Sequence, residues 1–477
     1  MSDSNSRKPL TDARGSVPPT LQSRDREAVP AQSPLFNRRD EGAVRPHTLL
    51  RGYHAVLRYH GTHEGPQMKV RWWVCLLLFL TWLMSYVDRS LMPMALPLIG
   101  QEFHLSPTVM GAVISAFFVG YASMQIPGGL LADKFGARKM MTAGVALWSI
   151  FSVLTGAATS LTSLLWVRIL FGLGEGVHPP AAFKALSSWF NSAERGRASG
   201  LVMSSNTIGP MIAPIIFAVL MGAYGWRNAF FLISIPGFLI AIAVYWYLRD
   251  QPAEHPHMTA RELAEIGEEK NHDEVSFREM LRYRALWQLF FIYMAWDVTW
   301  WGFQAWLPSY LLKERGFTLL ATGAVAALPF AAGFVGILAA AYISDRTRKP
   351  RLVLASVMVG NALFMLLTAT AGTATMAVVF LTATGFFLPA IHGPFWFLVM
   401  DLLPSRVIGS ASGFLNTGGQ IAGITSPVII GALVQLTGHY EAGFTFMAIS
   451  AGVSALLVGV LKESKARAVA ESVVVSG

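Results

Sequence analysis

Twelve apolar segments divide the sequence between residues 72 and 461, and each contains about 18 to 28 residues. An α-helix rises about 1.5 Å per residue, so a helix of this length crosses the roughly 30 Å hydrocarbon core of a bilayer. Only 14% of the 477 residues are charged, against about a quarter in soluble proteins. The sequence therefore predicts an all-α integral membrane protein with twelve transmembrane helices. We number these spans 1 to 12 and place them at 72–98, 107–131, 140–159, 161–186, 198–222, 227–248, 286–311, 318–343, 352–371, 374–400, 407–434 and 441–461.

Lysine and arginine are concentrated in the loops that follow spans 2, 4 and 8, and the loops after spans 1, 3 and 9 contain neither. Basic loops stay in the cytoplasm when a membrane protein inserts. We call the face that carries these loops the basic side. The pattern predicts a multi-pass protein of the cell (inner) membrane with the basic side and both termini in the cytoplasm. Because the loops explain the net charge of +9, we expect no nucleic-acid partner.

The spans and the polar stretches between them predict five regions. Residues 1–67 are rich in Arg, Pro and Ser and lack the apolar core of a signal peptide, so we expect a disordered tail. Translation from Met68 is an alternative to translation from Met1. Two Ser/Thr-x-x-Glu patterns in the polar linker, at 259–262 and 276–279, predict short helices there. The regions are a cytoplasmic tail at 1–67, a six-helix bundle at 68–248, a cytoplasmic linker at 249–284, a second six-helix bundle at 285–462 and a cytoplasmic tail at 463–477.

The two halves of the chain resemble each other. Asp133 and Asp345 lie in similar loops 212 residues apart, and Pro214 and Pro427 are equivalent prolines 213 residues apart. Tandem six-helix units of the same orientation imply a pseudo-two-fold axis along the membrane normal, with a cavity between the units near the midplane.

The loop after span 2 has the sequence "GGLLADKFGARK" at 128–139, and "LAAAYISDRTRK" at 338–349 is its counterpart. Glycines permit close helix approach, and an aspartate is stabilised at the N-terminal end of a neighbouring helix. The loop resembles the signature of the major facilitator superfamily, although a charged loop without a gating role is an alternative. The resemblance implies a gating latch formed by Gly129, Asp133, Gly136 and Arg138 and, in the second half, by Asp345 and Arg346.

Four ionisable residues lie inside spans 1 and 4. Asp88 and Arg89 are adjacent in span 1, and Arg168 and Glu175 are seven residues apart in span 4, on one helix face. Each charge costs about 2.5 to 3.5 kcal/mol at a bilayer centre, so such residues usually carry function. Buried ion pairs that only hold helices together are the alternative. The "GEG" at 174–176 and Pro179 also soften the helix locally, which permits a close backbone approach or a bend in span 4.

The motifs "YVDR" in span 1 and "GEGVHPPAAFKALSSWF" in span 4 resemble the anion:cation symporter family. The resemblance covers about 70–462 and includes "QIPGG", "WLPSYL" and "GFLN". Its members include phthalate, hexuronate, glucarate and galactonate carriers and the sialic acid and vesicular glutamate carriers. By resemblance, Arg89 binds the substrate carboxylate, Asp88 and Glu175 accept protons, and Arg168 positions Glu175.

Further residues are candidates for substrate binding. Tyr86 shares a helix face with Arg89, while Asp88 is turned by about 100° toward another neighbour. Asn416 and Gln420 are four residues apart on one face of span 11, although the family often has Asn at the position of Gln420. The remaining candidates are Tyr121, Gln304 and Trp396. The family resemblance supports Tyr121.

Asp297 lies near the middle of span 7 and departs from the family pattern. Three roles remain open for it: a partner for a buried cation, a contact for a positively charged substrate group, or an additional proton site.

The charges in spans 1 and 4 sum to zero when all four groups are ionised and to +2 when both acids are protonated. An anion therefore binds the protonated cavity better, which predicts proton-coupled symport of a small organic anion, such as a sugar acid or an aromatic carboxylate, by alternating access. An exchanger or facilitator without obligatory coupling is the alternative, and a membrane sensor or enzyme is a minor one. The single Cys75 and the scattered histidines predict no metal, and we expect a monomer that uses protons and no cofactor.

Overall fold

The computed structural model describes residues 68–267, 280–404 and 407–461. Within these ranges the chain is helical and contains no β-strand. The predicted tails at 1–67 and 463–477 and the capping pattern at 276–279 lie outside the described residues, so those predictions stay untested.

The first half of the chain forms spans 1 to 6. Span 4 is interrupted at Val177, directly after the "GEG" for which the sequence predicts a bend, because one helix ends at Gly176 and the next begins at His178. Span 5 is interrupted at Ser204, and its longer part is continuous with span 6 except at Gly225, whose φ of 79° is accessible mainly to glycine. The helices are Val70–Glu102, Pro107–Phe135, Ala137–Gly156, Leu161–Gly176 with His178–Trp189, Ser192–Met203, and Ser205–Tyr247, which contains most of span 5 and all of span 6.

The second half forms spans 7 to 12. Span 10 is also broken, by a short 3-10 turn at Pro389–Ile391 that the sequence did not predict. Span 7 ends in a π-helical turn at Tyr310–Glu314. The helices are Arg284–Ser309, Leu319–Thr347, Pro350–Ala369, Ala374–Phe387 with His392–Leu402, Ile408–Thr437 and Glu441–Gly459.

Nine helices in the described ranges are long and apolar enough to cross a membrane. One of them, Ser192–Tyr247, contains both span 5 and span 6. Span 4 is divided into two short helices, and span 7 is rich in polar and aromatic residues, so neither is among the nine. Together these helices account for the twelve predicted spans.

The two halves pack against each other mainly through spans 2 and 11 and through spans 5 and 8. A Cβ atom on Gly111 of span 2 would lie 2.2 Å from the carbonyl oxygen of Pro427 in span 11, so only glycine fits at this approach. Gly323 of span 8 approaches the carbonyl oxygen of Pro214 in span 5 in the same way. Both contacts lie toward the ends of the helices that are remote from the basic loops. The interface between the halves is therefore closed on the side opposite the basic side.

The linker is attached to the start of span 1. Thr259 caps the short helix Ala260–Ile266, as its capping pattern predicts, by accepting a hydrogen bond from the Glu262 N–H at 3.2 Å. The Glu262 carboxylate accepts the N–H groups of Val70 and Arg71 at 3.2 and 3.0 Å. The linker helix thus satisfies two backbone donors that the first turn of span 1 would otherwise leave without partners.

The Arg71 side chain joins three elements on the basic side. Its guanidinium pairs with Glu194 of span 5 at 3.2 Å and with Glu265 of the linker helix at 2.7 Å. Lys69 also pairs with Glu265, at 2.5 Å. We call Lys69, Arg71, Glu194, Glu262 and Glu265 the linker cluster.

Candidate functional site

The centre of the first half contains a buried ion pair between spans 1 and 4. Arg89 Nε donates to Glu175 Oε1 at 2.5 Å, and the two side chains are 9% and 1% exposed. The same oxygen accepts a hydrogen bond from Ser85 Oγ at 2.5 Å. Ser85 and Arg89 are one turn apart in span 1, so both donors face the same point in span 4. The structure therefore brings together two of the predicted site residues, Arg89 and Glu175.

Aromatic rings surround the Arg89 guanidinium. Its Cζ atom lies 4.4 Å from the ring centroid of Tyr121 and 5.4 Å from that of Tyr86. Phe117 lies at 5.1 Å, and Trp301, which belongs to span 7, at 5.9 Å. These distances are within the range of cation–π attraction. Arg89 is thus held at the junction of the two halves by rings from both of them.

One guanidinium nitrogen of Arg89 has no partner. Nη2 is buried and forms no hydrogen bond with any described residue. The Arg89 side chain borders a cavity of about 30 Å³, which is lined by both halves. A volume of this size is comparable to the share of one water molecule in the liquid. The cavity must therefore widen before a larger molecule can occupy it. Its polar and aromatic lining is Arg89, Arg168, Gln304, Phe117, Phe118 and Trp301.

Asp88 is directed away from this cavity. It is 2% exposed, and neither carboxyl oxygen forms a hydrogen bond among the described residues. The indole of Trp148 in span 3 approaches it, and the charges of Arg168 and Glu175 act on it electrostatically. Asp88 and Arg89 therefore face different neighbours, as the 100° turn between them predicts.

Arg168 does not form the ion pair with Glu175 that a positioning role would require. No carboxylate lies within 4 Å of it in the part of the chain that the structure describes, and it packs on the rings of Phe171 and Phe117 at 4.8 and 5.3 Å. Two helical turns separate Arg168 from Glu175, about 11 Å along the helix axis. Arg89 approaches Glu175 from the neighbouring helix and occupies the place expected for Arg168. Arg168 acts on Glu175 only over a longer distance.

The second half contributes amides and aromatic rings. Gln304 borders the cavity, and its Nε2 has no hydrogen-bond partner among the described residues. Gln420 Nε2 donates to Asn416 Oδ1 at 3.4 Å, which leaves Gln420 Oε1 buried without a partner in the described ranges. Trp396 packs on Phe395 and Tyr293, with centroid separations of 5.6 and 6.2 Å. Gln304 is the predicted residue of this half that borders the cavity, and Asn416, Gln420 and Trp396 do not border it.

Asp297 lies on the same face of span 7 as Gln304, two turns away. It is 3% exposed, and its Oδ2 atom forms no hydrogen bond with a described residue. A Cβ atom on Gly419 of span 11 would lie 2.5 Å from that oxygen. No cation contacts Asp297 within residues 68–267, 280–404 and 407–461, so the structure does not place it as the partner of a buried cation there.

The loop after span 2 is held by contacts to spans 4 and 6. Asp133 pairs with Lys184 at 2.9 Å, and Arg138 Nε donates to the Tyr245 carbonyl oxygen at 2.8 Å. Gly136 has a φ of 88°, and the following Arg138 N–H donates to Asp250 Oδ1 at 2.8 Å. Asp133 and Arg138 are thus held by separate contacts, to Lys184 and to Tyr245 and Asp250, and the partners Lys184 and Asp250 were missed. Asp250 could have been predicted from its place directly after the end of span 6, where an acid lies beside the basic loops.

Gly129 and the second-half loop differ from their predicted roles. A Cβ atom on Gly129 would lie 3.7 Å from Pro180, an ordinary contact, so no close approach requires this glycine. The close approach occurs at Gly128 instead, where an added Cβ atom would lie 2.9 Å from the Val177 Cα atom. Asp345 and Arg346 are exposed and form no ion pair with another described residue. In this conformation the latch is therefore assembled in the first half alone.

Comparisons with known proteins identify the class. Residues 77–427 match the model of the Major Facilitator Superfamily. A bacterial homologue of the human lysosomal transporter Spinster, solved in an inward-facing and occupied conformation, has a TM-score of 0.69 at 17% identity. That likeness covers 83% of this chain and 96% of the solved one. The chain belongs to the major facilitator superfamily and is a multi-pass membrane transporter, not an enzyme.

Relatives in sequence then narrow the family to the anion:cation symporter-like group. The chain is 34% identical to the probable sulfoacetate transporter of Cupriavidus necator, over 82% of this chain and 93% of the relative. It is 32% identical to the probable L-galactonate transporter of Escherichia coli, over 77% and 83% of the two chains. It is 29% identical to the hexuronate transporter of Bacillus subtilis, over 78% and 90%. The resemblance predicted from "YVDR" and "GEG" is confirmed, and the chain is a transporter of the organic-anion type.

Proposed function

We propose that this protein imports a small organic anion together with protons, by alternating access between its two six-helix bundles. The single observation that carries the proposal is the Arg89–Glu175 ion pair, at 2.5 Å, beside a cavity that both halves line. The same arginine has an unpartnered Nη2 at that cavity. Arg89 thus pairs with Glu175 and also borders the cavity in which we propose that the acidic group of the substrate binds.

Competition for Arg89 supplies the coupling. When Glu175 is ionised, it neutralises the guanidinium, and an arriving anion meets a pair without net charge. When Glu175 is protonated, the positive charge of Arg89 is free to attract the anion. Proton and anion therefore each favour the binding of the other, and this reciprocity is what symport requires.

Asp88 is the second proton acceptor in this proposal. It is buried without a hydrogen bond among the described residues and lies within electrostatic reach of Glu175 and Arg168. Two nearby buried acids oppose each other's ionisation, so loss of a proton from one favours retention on the other. Arg168 has no carboxylate contact in the described part of the chain and supplies a fixed positive charge to both.

The substrate class is a small acid of the size of a sugar acid or an alkyl sulfonate. The named relatives are transporters of sulfoacetate, L-galactonate and hexuronate. Arg89 provides the contact for the acidic group, and Gln304, Asn416 and Gln420 provide amides for hydroxyl groups. Tyr86, Tyr121 and Trp396 provide aromatic walls, on which sugar C–H groups or an aromatic acid pack.

The proposed setting is the inner membrane, with both termini and the basic side in the cytoplasm. In this orientation the structure is closed toward the outside, the opposite state opens there, and protons flowing inward drive uptake. The carrier acts as a monomer, in the five regions set out from the sequence, and uses no cofactor.

Transport by the full-length chain in proteoliposomes tests the proposal. An imposed inward proton gradient should drive accumulation of an anion such as D-gluconate or sulfoacetate above equilibrium. Glu175→Gln and Asp88→Asn should each abolish accumulation while leaving exchange of labelled for unlabelled anion measurable. Asp345→Asn is the matched control, since it removes an exposed carboxylate of the second half.

Uphill accumulation by both variants at the wild-type rate would refute the proton assignment. Exchange by the wild-type protein without any response to the gradient would establish the exchanger instead.

A further inference from the structure

Asp297 is a buried acid that the proposed coupling does not use. It is 3% exposed and lies in span 7, in the half opposite Arg89. A buried carboxylate is normally paired with a cation or fully hydrogen-bonded, because water no longer solvates it. Oδ2 of Asp297 has neither kind of partner among the described residues. An ionised Asp297 therefore requires a cationic group from outside the described chain.

Its position places it along the substrate route. Tyr293, Asp297, Trp301 and Gln304 follow one another at intervals of four, four and three residues, so they share one face of span 7. Trp301 and Gln304 border the Arg89 cavity. Asp297 lies one turn nearer the basic side on that face. Arg89 and Asp297 both act electrostatically on the Tyr86 hydroxyl.

The surroundings of Asp297 suit a cation. Tyr293 lies one turn away, and Asp297 acts electrostatically on its hydroxyl. The ring centroid of Tyr293 lies 5.0 Å from that of Phe395 and 6.2 Å from that of Trp396. Aromatic faces attract ammonium groups, and a carboxylate beside them adds direct charge pairing. Gly419 leaves the space that the carboxylate occupies, since a Cβ atom there would lie 2.5 Å from Oδ2.

A buried guanidinium donor, Arg89 Nη2 in span 1, and a buried carboxylate acceptor, Asp297 Oδ2 in span 7, have no hydrogen-bond partner among the described residues. Spans 1 and 7 contact each other across the two halves. We propose that this pair recognises a zwitterionic acid, with the acidic group of the substrate on Arg89 and its ammonium group on Asp297. The inference rests on the proposed function, because it takes Arg89 as the contact for the acidic group. It adds a substrate class that the names of the relatives do not contain.

Matched pairs of acids test the inference on the full-length protein in detergent. D-Gluconate is compared with 2-amino-2-deoxy-D-gluconate, and 3-hydroxypropanoate with 3-aminopropanoate, by isothermal titration calorimetry at pH 7. Within each pair only a hydroxyl group is exchanged for an ammonium group. We expect the amino acid to bind at least about tenfold more tightly in the pair whose skeleton fits the site.

Variants of the Asp297 subsite should then remove this preference. Asp297→Asn should reduce the ratio of the two affinities to about one, while the hydroxy acid keeps its affinity within about threefold. Gly419→Ala should reduce the ratio as well, because the added methyl group displaces the carboxylate. Asp345→Asn should leave the ratio unchanged. A thermal melt of each variant establishes that it is folded.

The outcomes separate this inference from the proposed function. Equal or weaker binding of the amino member in both pairs, with either hydroxy acid bound, overturns the inference and leaves anion transport intact. An unchanged ratio in Asp297→Asn also overturns it, and an accompanying shift in the pH dependence of transport would identify Asp297 as a proton carrier. Failure of every anion to bind would overturn the proposed function itself.

Discussion

The two halves share a fold but differ in how they manage charge. In the first half the buried arginine and glutamate of spans 1 and 4 form an ion pair, and the basic-side loop is held by a second pair, Asp133–Lys184. In the second half the buried Asp297 and the exposed Asp345 have no ionic partner among the described residues. The repeated backbone therefore carries unlike chemistry in its two halves: the first contains the buried ion pair, and the second contributes the Gln304 amide and a buried acid without an ionic partner in the described ranges.

The largest expected effect follows from replacing the shared cation. Arg89→Lys keeps the charge but loses the planar guanidinium that contacts Glu175 and the cavity at the same time. Anion uptake should fall at least about a hundredfold, a loss of about 2.7 kcal/mol. Gln304→Ala, on the opposite wall, should reduce uptake by about tenfold or less. Initial rates of uptake in proteoliposomes give both values.

Arg227→Lys is the control for this comparison. Arg227 pairs with Glu102 at 2.6 Å, but the pair is exposed and remote from the cavity. Its replacement should leave uptake unchanged. A Gln304→Ala defect as large as that of Arg89→Lys would contradict the division of labour between the halves.

The second effect concerns the surface where the halves meet. Gly111→Leu places a side chain where even a Cβ atom would lie 2.2 Å from the Pro427 carbonyl oxygen. The halves should then fail to close on the side opposite the basic loops, and transport should fall by about tenfold or more. Labelling of Val434→Cys should increase and report the opening directly, because Val434 is buried beside Pro107 and Met110 of span 2.

Gly452→Leu provides the matched substitution. A Cβ atom on Gly452 meets nothing within 4 Å. This variant should transport normally. Normal transport by Gly111→Leu, with no increase in labelling, would show that the close contact between spans 2 and 11 is not required.

A smaller effect should distinguish the two loops. In the Asp133–Lys184 pair the aspartate side chain is 73% exposed and the lysine side chain 36% exposed. Exposed ion pairs contribute about 1 kcal/mol or less to stability. Asp133→Asn should therefore slow transport by only about two- to fivefold. Asp345→Asn should change it less, because no ion pair with a described residue is lost. The comparison is read from turnover at saturating substrate, and a larger defect in Asp345→Asn would reverse the assignment of the latch.

The smallest effect concerns the linker cluster and pH. Hydrogen bonds from Lys69 and Arg71 lower the pKa of Glu265 below its ordinary value. A lowered pKa in the folded state means that the contacts stabilise the fold above the ordinary glutamate pKa and are lost as the pH falls through the lowered value. Amide exchange in Ala260–Ile266, expressed relative to the intrinsic exchange rate at each pH, should therefore increase on acidification.

Glu265→Gln should reproduce that increase at pH 7. Glu254→Gln, at an exposed acid of the same linker, should not. Exchange in Ala260–Ile266 that is independent of pH and unaffected by Glu265→Gln would remove the cluster from any role in holding the linker.

Much of the fold was predictable because span length and hydrophobicity are properties of local sequence. Span 8, placed at 318–343, is the helix Leu319–Thr347, and the bend foreseen after "GEG" is a break before His178. The break in span 10 was missed, although Pro389 lies within "FFLPAIHGP", because a proline alone does not distinguish a kink from an interruption.

The candidate site was only partly predictable, for a different physical reason. Helical periodicity places Arg168 and Glu175 on one face and turns Asp88 from Arg89, but it does not give the rotation of one helix against another. The Arg89–Glu175 pair and the approach of Trp148 to Asp88 depend on that rotation. Ser85 could have been predicted as a site residue, because it lies one turn before Arg89 in the same helix.

The breaks in spans 4 and 10 lie at equivalent places in the two halves. Val177, between Gly176 and His178, and Pro389, in the 3-10 turn of span 10, are 212 residues apart, the same separation as Asp133 and Asp345. A duplicated six-helix unit that already possessed such a joint would pass it to both descendants. Each bundle therefore has an irregular turn at an equivalent place, where bending within the bundle would add to rocking between the bundles.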